Sequence, residues 1–170
     1  MINGLKAQRR LALYVALGLS AGSGVFLDAS AAYANEVKIP STDTAHVSGI
    51  NGTTETGSKD GNQIMIGEAG GGGPVVNGDV VGGYAAVGDA ANNNVTIESI
   101  VAVMQSVYGG KSDAGAAVHN AVHIKGGSVS AGAVYGGYTA GNGAVRNNTV
   151  TLAGGTVSGN VIAGTSAGRG

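Results

Sequence analysis

The sequence predicts an all-β fold, a right-handed parallel β-helix (solenoid) of roughly 27-residue coils preceded by a signal peptide, on three observations. One phrase is written twice. It runs from Val107-Tyr108-Gly109-Gly110 through Asn120-Ala121-Val122-His123-Ile124 to Ser128-Val129-Ser130. It returns from Val134-Tyr135-Gly136-Gly137 through Asn148-Thr149-Val150-Thr151-Leu152 to Thr156-Val157-Ser158. The second observation is the interval: Val80, Val107, Val134 and Val161 follow one another at steps of 27 residues. A fixed period in this range marks a solenoid or another repeat array. Third, Val95-Thr96-Ile97, Val122-His123-Ile124 and Val150-Thr151-Leu152 each alternate aliphatic, polar, aliphatic. Period two puts the aliphatic residues on one face of a strand and the middle residue on the other.

The chain has 170 residues, room for one domain at most. Residues 1–34 read as a signal peptide. Lys6, Arg9 and Arg10 form a basic start, Leu11 to Leu27 is mostly apolar, and Ala32-Tyr33-Ala34 gives a small-x-small cleavage pattern. Gly18, Ser20, Gly22, Ser23 and Gly24 interrupt the apolar run, which weighs against a membrane anchor. Cleavage after Ala34 leaves six Lys and Arg against nine Asp and Glu, too acidic for a nucleic-acid partner. With no cysteine, stability must come from packing and hydrogen bonds.

Residues 35–74 read as an N-terminal cap and a degenerate first coil, with Ile64-Met65-Ile66 as an early alternating triplet and Gly70 to Pro74 as a long corner. Residues 75–170 carry the regular repeats. Each unit opens with a short strand ending in a glycine pair: Gly82 and Gly83, Gly109 and Gly110, Gly136 and Gly137. Those glycines are expected to supply corner angles that other residues resist. The alternating strand follows, then a third short strand after a second glycine corner. Ile100-Val101-Ala102-Val103-Met104 replaces that corner in one unit. Helix is excluded, because glycine costs about 1 kcal/mol against alanine in a helix and no sustained i, i+3, i+4, i+7 pattern appears. A lone coil cannot offset its own ordering entropy, so the units must stack.

These residues resemble the passenger region of bacterial autotransporter (type V secreted) proteins. The phrase Val-Tyr-Gly-Gly-Tyr followed by Asn-Asn-Thr-Val-Thr-Leu and Gly-Gly-Thr-Val carries the resemblance, over about residues 75–170 and the signal. It implies a β-helix exported to the cell surface, the outer membrane or the medium, often adhesive, with a host or neighbouring-cell glycan or protein as partner. It also implies a C-terminal translocator β-barrel. No barrel strands are in this chain, which ends at Gly168-Arg169-Gly170 and so reads as the N-terminal piece of a longer protein or a truncated reading frame. An open last coil would also favour self-association.

No catalytic, metal or cofactor site is expected. His119 and His123 have the spacing of two zinc ligands on a helix, but the glutamate is absent and the segment is a strand. Gly109-Gly110-Lys111-Ser112 lacks the earlier glycine of a phosphate-binding loop. Asn94-Val95-Thr96 and Asn147-Asn148-Thr149 match a glycosylation sequon, yet Asn93, Asn120 and Asn148 recur before the alternating strand and suit an amide ladder better. Glu68, Asp79, Asp89, Glu98 and Asp113 fall in differing slots and form no carboxylate pair for glycoside hydrolysis. Tyr84, Tyr108, Tyr135 and Tyr138 flank the glycine pairs. Facing outward they make a contact stripe; facing inward they are packing. The expected function is a non-catalytic solenoid for adhesion or display. The alternatives are a β-helical carbohydrate-active enzyme and an incomplete gene product without a role of its own.

Overall fold

A computed structural model describes residues 36–39, 46–47, 50–51, 59–68, 73–98 and 100–168. The proposed cleavage residues Ala32 and Ala34 lie outside these. Every described segment of regular structure is a strand, and none is helical. The first coil holds β1 (Glu36–Ile39), β2 (His46–Val47), β3 (Ile50–Asn51) and β4 (Lys59–Asp60). The second holds β5 (Gln63–Ile66), β6 (Val75–Val76), β7 (Val80–Ala85) and β8 (Ala90–Ala91). The third holds β9 (Asn94–Ile97), β10 (Ala102–Val103), β11 (Val107–Ser112) and β12 (Ala117–Val118). The fourth holds β13 (Ala121–Ile124), β14 (Ser128–Val129), β15 (Val134–Thr139) and β16 (Val145–Arg146). Three strands of a fifth follow: β17 (Thr149–Leu152), β18 (Thr156–Val157) and β19 (Val161–Ser166).

Equivalent strands of successive coils pair in parallel. The alternating strands form a first wall (β1-β5-β9-β13-β17), and β2-β6-β10-β14-β18 a second. The glycine-pair strands form a third wall (β3-β7-β11-β15-β19), and β4-β8-β12-β16 a fourth. The chain is therefore a parallel β-solenoid with coils of about 27 residues, as the period predicts. Four strands make a coil, not three. The fourth wall is built from pairs such as Ala90–Ala91 and Ala117–Val118, too short to signal a strand by periodicity.

The register explains why the period holds. Val80, Val107, Val134 and Val161 form one column, and Val95, Val122 and Val150 another. Insertions sit in loops. Ala117 and Val145 pair across one residue more than the 27 that separate Ala90 from Ala117, the extra residue lying between β15 and β16. The core is a file of inward aliphatics from the first three walls: Ile64, Ile66, Val76, Val95, Ile97, Val103, Val122, Ile124 and Val129 are fully or nearly fully buried. Each contributes roughly 1.5–3 kcal/mol. The fourth wall contributes only the small Ala90 and Ala117, because it faces polar groups as well.

The glycine pairs are not strand ends, and their backbone angles are not unusual. They lie mid-strand in β7, β11 and β15, and none has a positive φ. Both glycines of each pair are buried, which breaks the alternation of the strand. Their requirement is space. A Cβ on Gly82, Gly109 or Gly136 would meet the carbonyl oxygen of Gly109, Gly136 or Ala163 one coil on, well short of the 3.4 Å where ordinary contact begins. A Cβ on Gly83, Gly110 or Gly137 would meet the side-chain amide of Asn93, Asn120 or Asn148.

Positive φ is used elsewhere. Gly127 and Gly155 take it at the corner before the second wall, at 77° and 81°. The third coil has no glycine there, and Ile100 takes a φ of 66° instead, its side chain 64% exposed. A β-branched residue in this region is strained by about 1–2 kcal/mol, while its exposed side chain gains little from packing. Ile100→Gly should therefore stabilise the protein by about 1 kcal/mol, raising the thermal midpoint by roughly 2–4 °C. Ile100→Val should not. An equal response to both in thermal denaturation would contradict the strain.

Candidate functional site

Two features stand out above the bare scaffold: an internal column of asparagines and an external cluster of tyrosines. The first is structural and positions the second.

Asn62, Asn93, Asn120 and Asn148 occupy one column at the corner before the first wall. Oδ1 of Asn93 accepts from the backbone N–H of Asn62 at 3.1 Å and from its Nδ2 at 2.8 Å. Oδ1 of Asn120 does the same for Asn93, at 3.0 and 2.9 Å. Oδ1 of Asn148 does so for Asn120, at 2.9 and 3.0 Å. Nδ2 of Asn120 also donates to the Ala90 carbonyl, and Nδ2 of Asn148 to that of Ala117. Asn62, Asn93 and Asn120 are buried, so these bonds remove a desolvation cost of about 1–3 kcal/mol per polar group. The expected amide ladder of Asn93, Asn120 and Asn148 is present, and it includes Asn62.

The residue before each asparagine turns the chain into the core. Asn92, His119 and Asn147 share a φ of 56°, and Gly61 takes 74°. Asn and His tolerate this left-handed region better than most residues. His119 thus stands beside Asn147 rather than Arg146, with its Nε2 2.9 Å from the Asn147 amide. His123 lies in the outward column of Thr96 and Thr151 and is half-buried. Among the described residues no group of three His, Asp or Glu side chains converges on a metal position.

On the outside of the third wall, two columns alternate with the buried ones. Val81, Tyr108, Tyr135 and Ile162 form one; Tyr84, Lys111, Tyr138 and Thr165 form the other. The Tyr108 and Tyr135 rings stack with centroids 5.0 Å apart and planes 11° from parallel. That is close to the interstrand spacing of about 4.8 Å. Tyr138 packs edge-on against both, at 5.8 and 5.7 Å. Lys111 Nζ lies 5.0 Å from the Tyr108 ring centroid. The sequence groups all four tyrosines, but the structure brings together only three. Tyr84 stands apart in the column below Lys111, its hydroxyl donating to Asp113 Oδ2.

The carboxylates are occupied in turn. Asp79 Oδ1 accepts from the Ser106 N–H and Asp89 Oδ1 from that of Ala116, both one coil on. Glu98 is 7% exposed and pairs with Lys125 Nζ at 2.8 Å. That pair is not marked by sequence spacing, because the two residues meet only once the coils are in register.

The site defines a class, a parallel β-solenoid with an internal amide ladder and an outward tyrosine cluster. No protein-family model, curated protein or solved structure matches the chain.

Two phenols are held above their ordinary value of 10.0. In Tyr84 the hydrogen bond to Asp113 is the main cause, with burial and the carboxylate charge adding to it. In Tyr108 burial is the main cause, partly opposed by a hydrogen bond from Ser106 and reinforced by Asp79 and the neighbouring phenols. A pKa raised on folding gives stability that is complete below about pH 10 and lost as pH rises through the folded value. Wild-type protein should lose stability steeply above that pH in denaturant titrations, and Tyr84→Phe should lose it less steeply. Parallel pH curves would contradict the Asp113 assignment.

Proposed function

We propose that this chain is an exported, non-catalytic solenoid of the autotransporter-passenger type, a rigid rod for adhesion or display at the cell surface. The cluster of Tyr108, Tyr135, Tyr138 and Lys111 on the outer third wall is its contact face. One observation carries this reading: three aromatic side chains and a lysine are gathered on an outward wall, where the second wall's matching slots hold Ser128, Ser130, Thr156 and Ser158. Aromatic residues with a polar tip suit interfaces that are apolar at one end and wet at the other.

The geometry favours one mode of contact. Tyr108 and Tyr135 spend facing ring surfaces on each other, so they offer edges and hydroxyls rather than flat platforms. Recognition would run through hydrogen bonds from phenols and the ammonium group to a hydroxyl- or carboxylate-rich partner, a surface glycan or protein. The enzyme alternative gains no support from the acidic residues, since Asp89 and Asp113 each hold a neighbouring coil in place.

The test is binding of the chain to a panel of immobilised surface glycans and matrix proteins, with product analysis for cleavage. Replacing Tyr108, Tyr135 and Tyr138 together by Phe keeps the ring stack and removes the hydroxyls. At about 0.5–1.5 kcal/mol per lost hydrogen bond, affinity should fall tenfold or more. Unchanged affinity, or turnover of any glycan, would refute the proposal.

A further inference from the structure

The upper edge of β19 is the open side of the third wall among the described residues, and its neighbourhood is a hazard. Val161 and Leu152 are 43% and 49% exposed in the fifth coil, although their equivalents Val134 and Ile124 are fully buried one coil below. An unpaired parallel edge beside exposed aliphatics invites a strand from another molecule. A second copy carries the same columns and would add in the same register.

One position departs from the pattern needed for that. Register places Gly82, Gly109, Gly136 and residue 163 in a single column, between the pairs Tyr135↔Ile162 and Gly137↔Gly164. At the first three, the carbonyl oxygen of the next coil occupies the place of a Cβ. At the fourth the residue is alanine. We infer that the Ala163 methyl group guards this edge, keeping a second copy of the chain from adding a strand in register on β19. An incoming strand with the geometry of the lower coils would drive its carbonyl oxygen into the Ala163 Cβ. To reach ordinary contact it must back away by roughly 1 Å, which takes a ladder hydrogen bond of about 2.9 Å out of range. A coil stacks through all its walls at a common rise, so a block on the third wall also hinders the edges of β17 and β18.

The experiment compares wild type, Ala163→Gly and Ala163→Ser in the full chain by sedimentation velocity over a hundredfold range of concentration. Ala163→Gly should self-associate at least tenfold more tightly than wild type, while Ala163→Ser, which keeps the Cβ, should follow wild type. Gly136→Ala sets the same methyl under a coil already in place. It should speed backbone hydrogen exchange in Val161–Ser166 at least tenfold relative to β11. The inference is overturned if Ala163→Gly associates no more than wild type, if the serine variant behaves like glycine, or if Gly136→Ala leaves exchange in β19 unchanged.

Discussion

The solenoid depends on one hydrogen-bonded side chain per coil. Each ladder asparagine uses a single oxygen to accept both the backbone N–H and the side-chain N–H of the asparagine one coil before it. This fixes the vertical spacing and the register together, because a slip of one residue would bring a different side chain to the corner and reverse every in–out assignment along the adjoining strand. Two other constraints serve the same bond. The residue before the asparagine must adopt a left-handed backbone, and the glycine across the lumen must lack a Cβ. A buried amide left without these partners would cost more than an aliphatic residue in its place, so ladder, turn and glycine stand or fall together.

Smaller staples repeat the logic at the other corners. The Ser112 hydroxyl donates to the Gly88 carbonyl and accepts from the Gly115 N–H, pinning the loop after β11 to the loop below. Thr139 donates to the Gly115 carbonyl and Ser166 to that of Gly141 in the same column. Before the third wall, Asp79 and Ser106 each accept a backbone N–H from the coil above. With the loops tied coil to coil, the third wall holds its outward columns at near-constant spacing. This is why Tyr108 and Tyr135 meet as stacked rings rather than as two mobile side chains.

What was legible in the sequence follows from which constraints repeat at fixed intervals. The column Val80, Val107, Val134 and Val161, the alternating strands, and the Asn93, Asn120, Asn148 ladder all recur at close to 27 residues and are readable without coordinates. Asn62 is not, since it stands 31 residues before Asn93 across a longer loop, so spacing alone does not align it. The fourth wall escaped notice because Ala90–Ala91 has neither alternation nor β-branching to mark it. The glycine pairs were recognised as important for the wrong reason: their role is clearance across the lumen, which only a neighbouring coil reveals. The separation of Tyr84 from the other tyrosines is likewise invisible in sequence, because it depends on Asp113, which lies in the loop of the following coil.

The central claim is that the second glycine of each pair exists to seat the asparagine amide. A double-mutant cycle on Gly110 and Asn120 tests it most directly, with stabilities from denaturant unfolding. Gly110→Ala alone should be severely destabilising, because its methyl group collides with an amide that cannot leave. Once Asn120→Ala has removed that amide, adding Gly110→Ala should cost little. The account predicts a coupling free energy of about 1–3 kcal/mol. Additive losses within about 0.5 kcal/mol would show that the two positions act independently, and would contradict it.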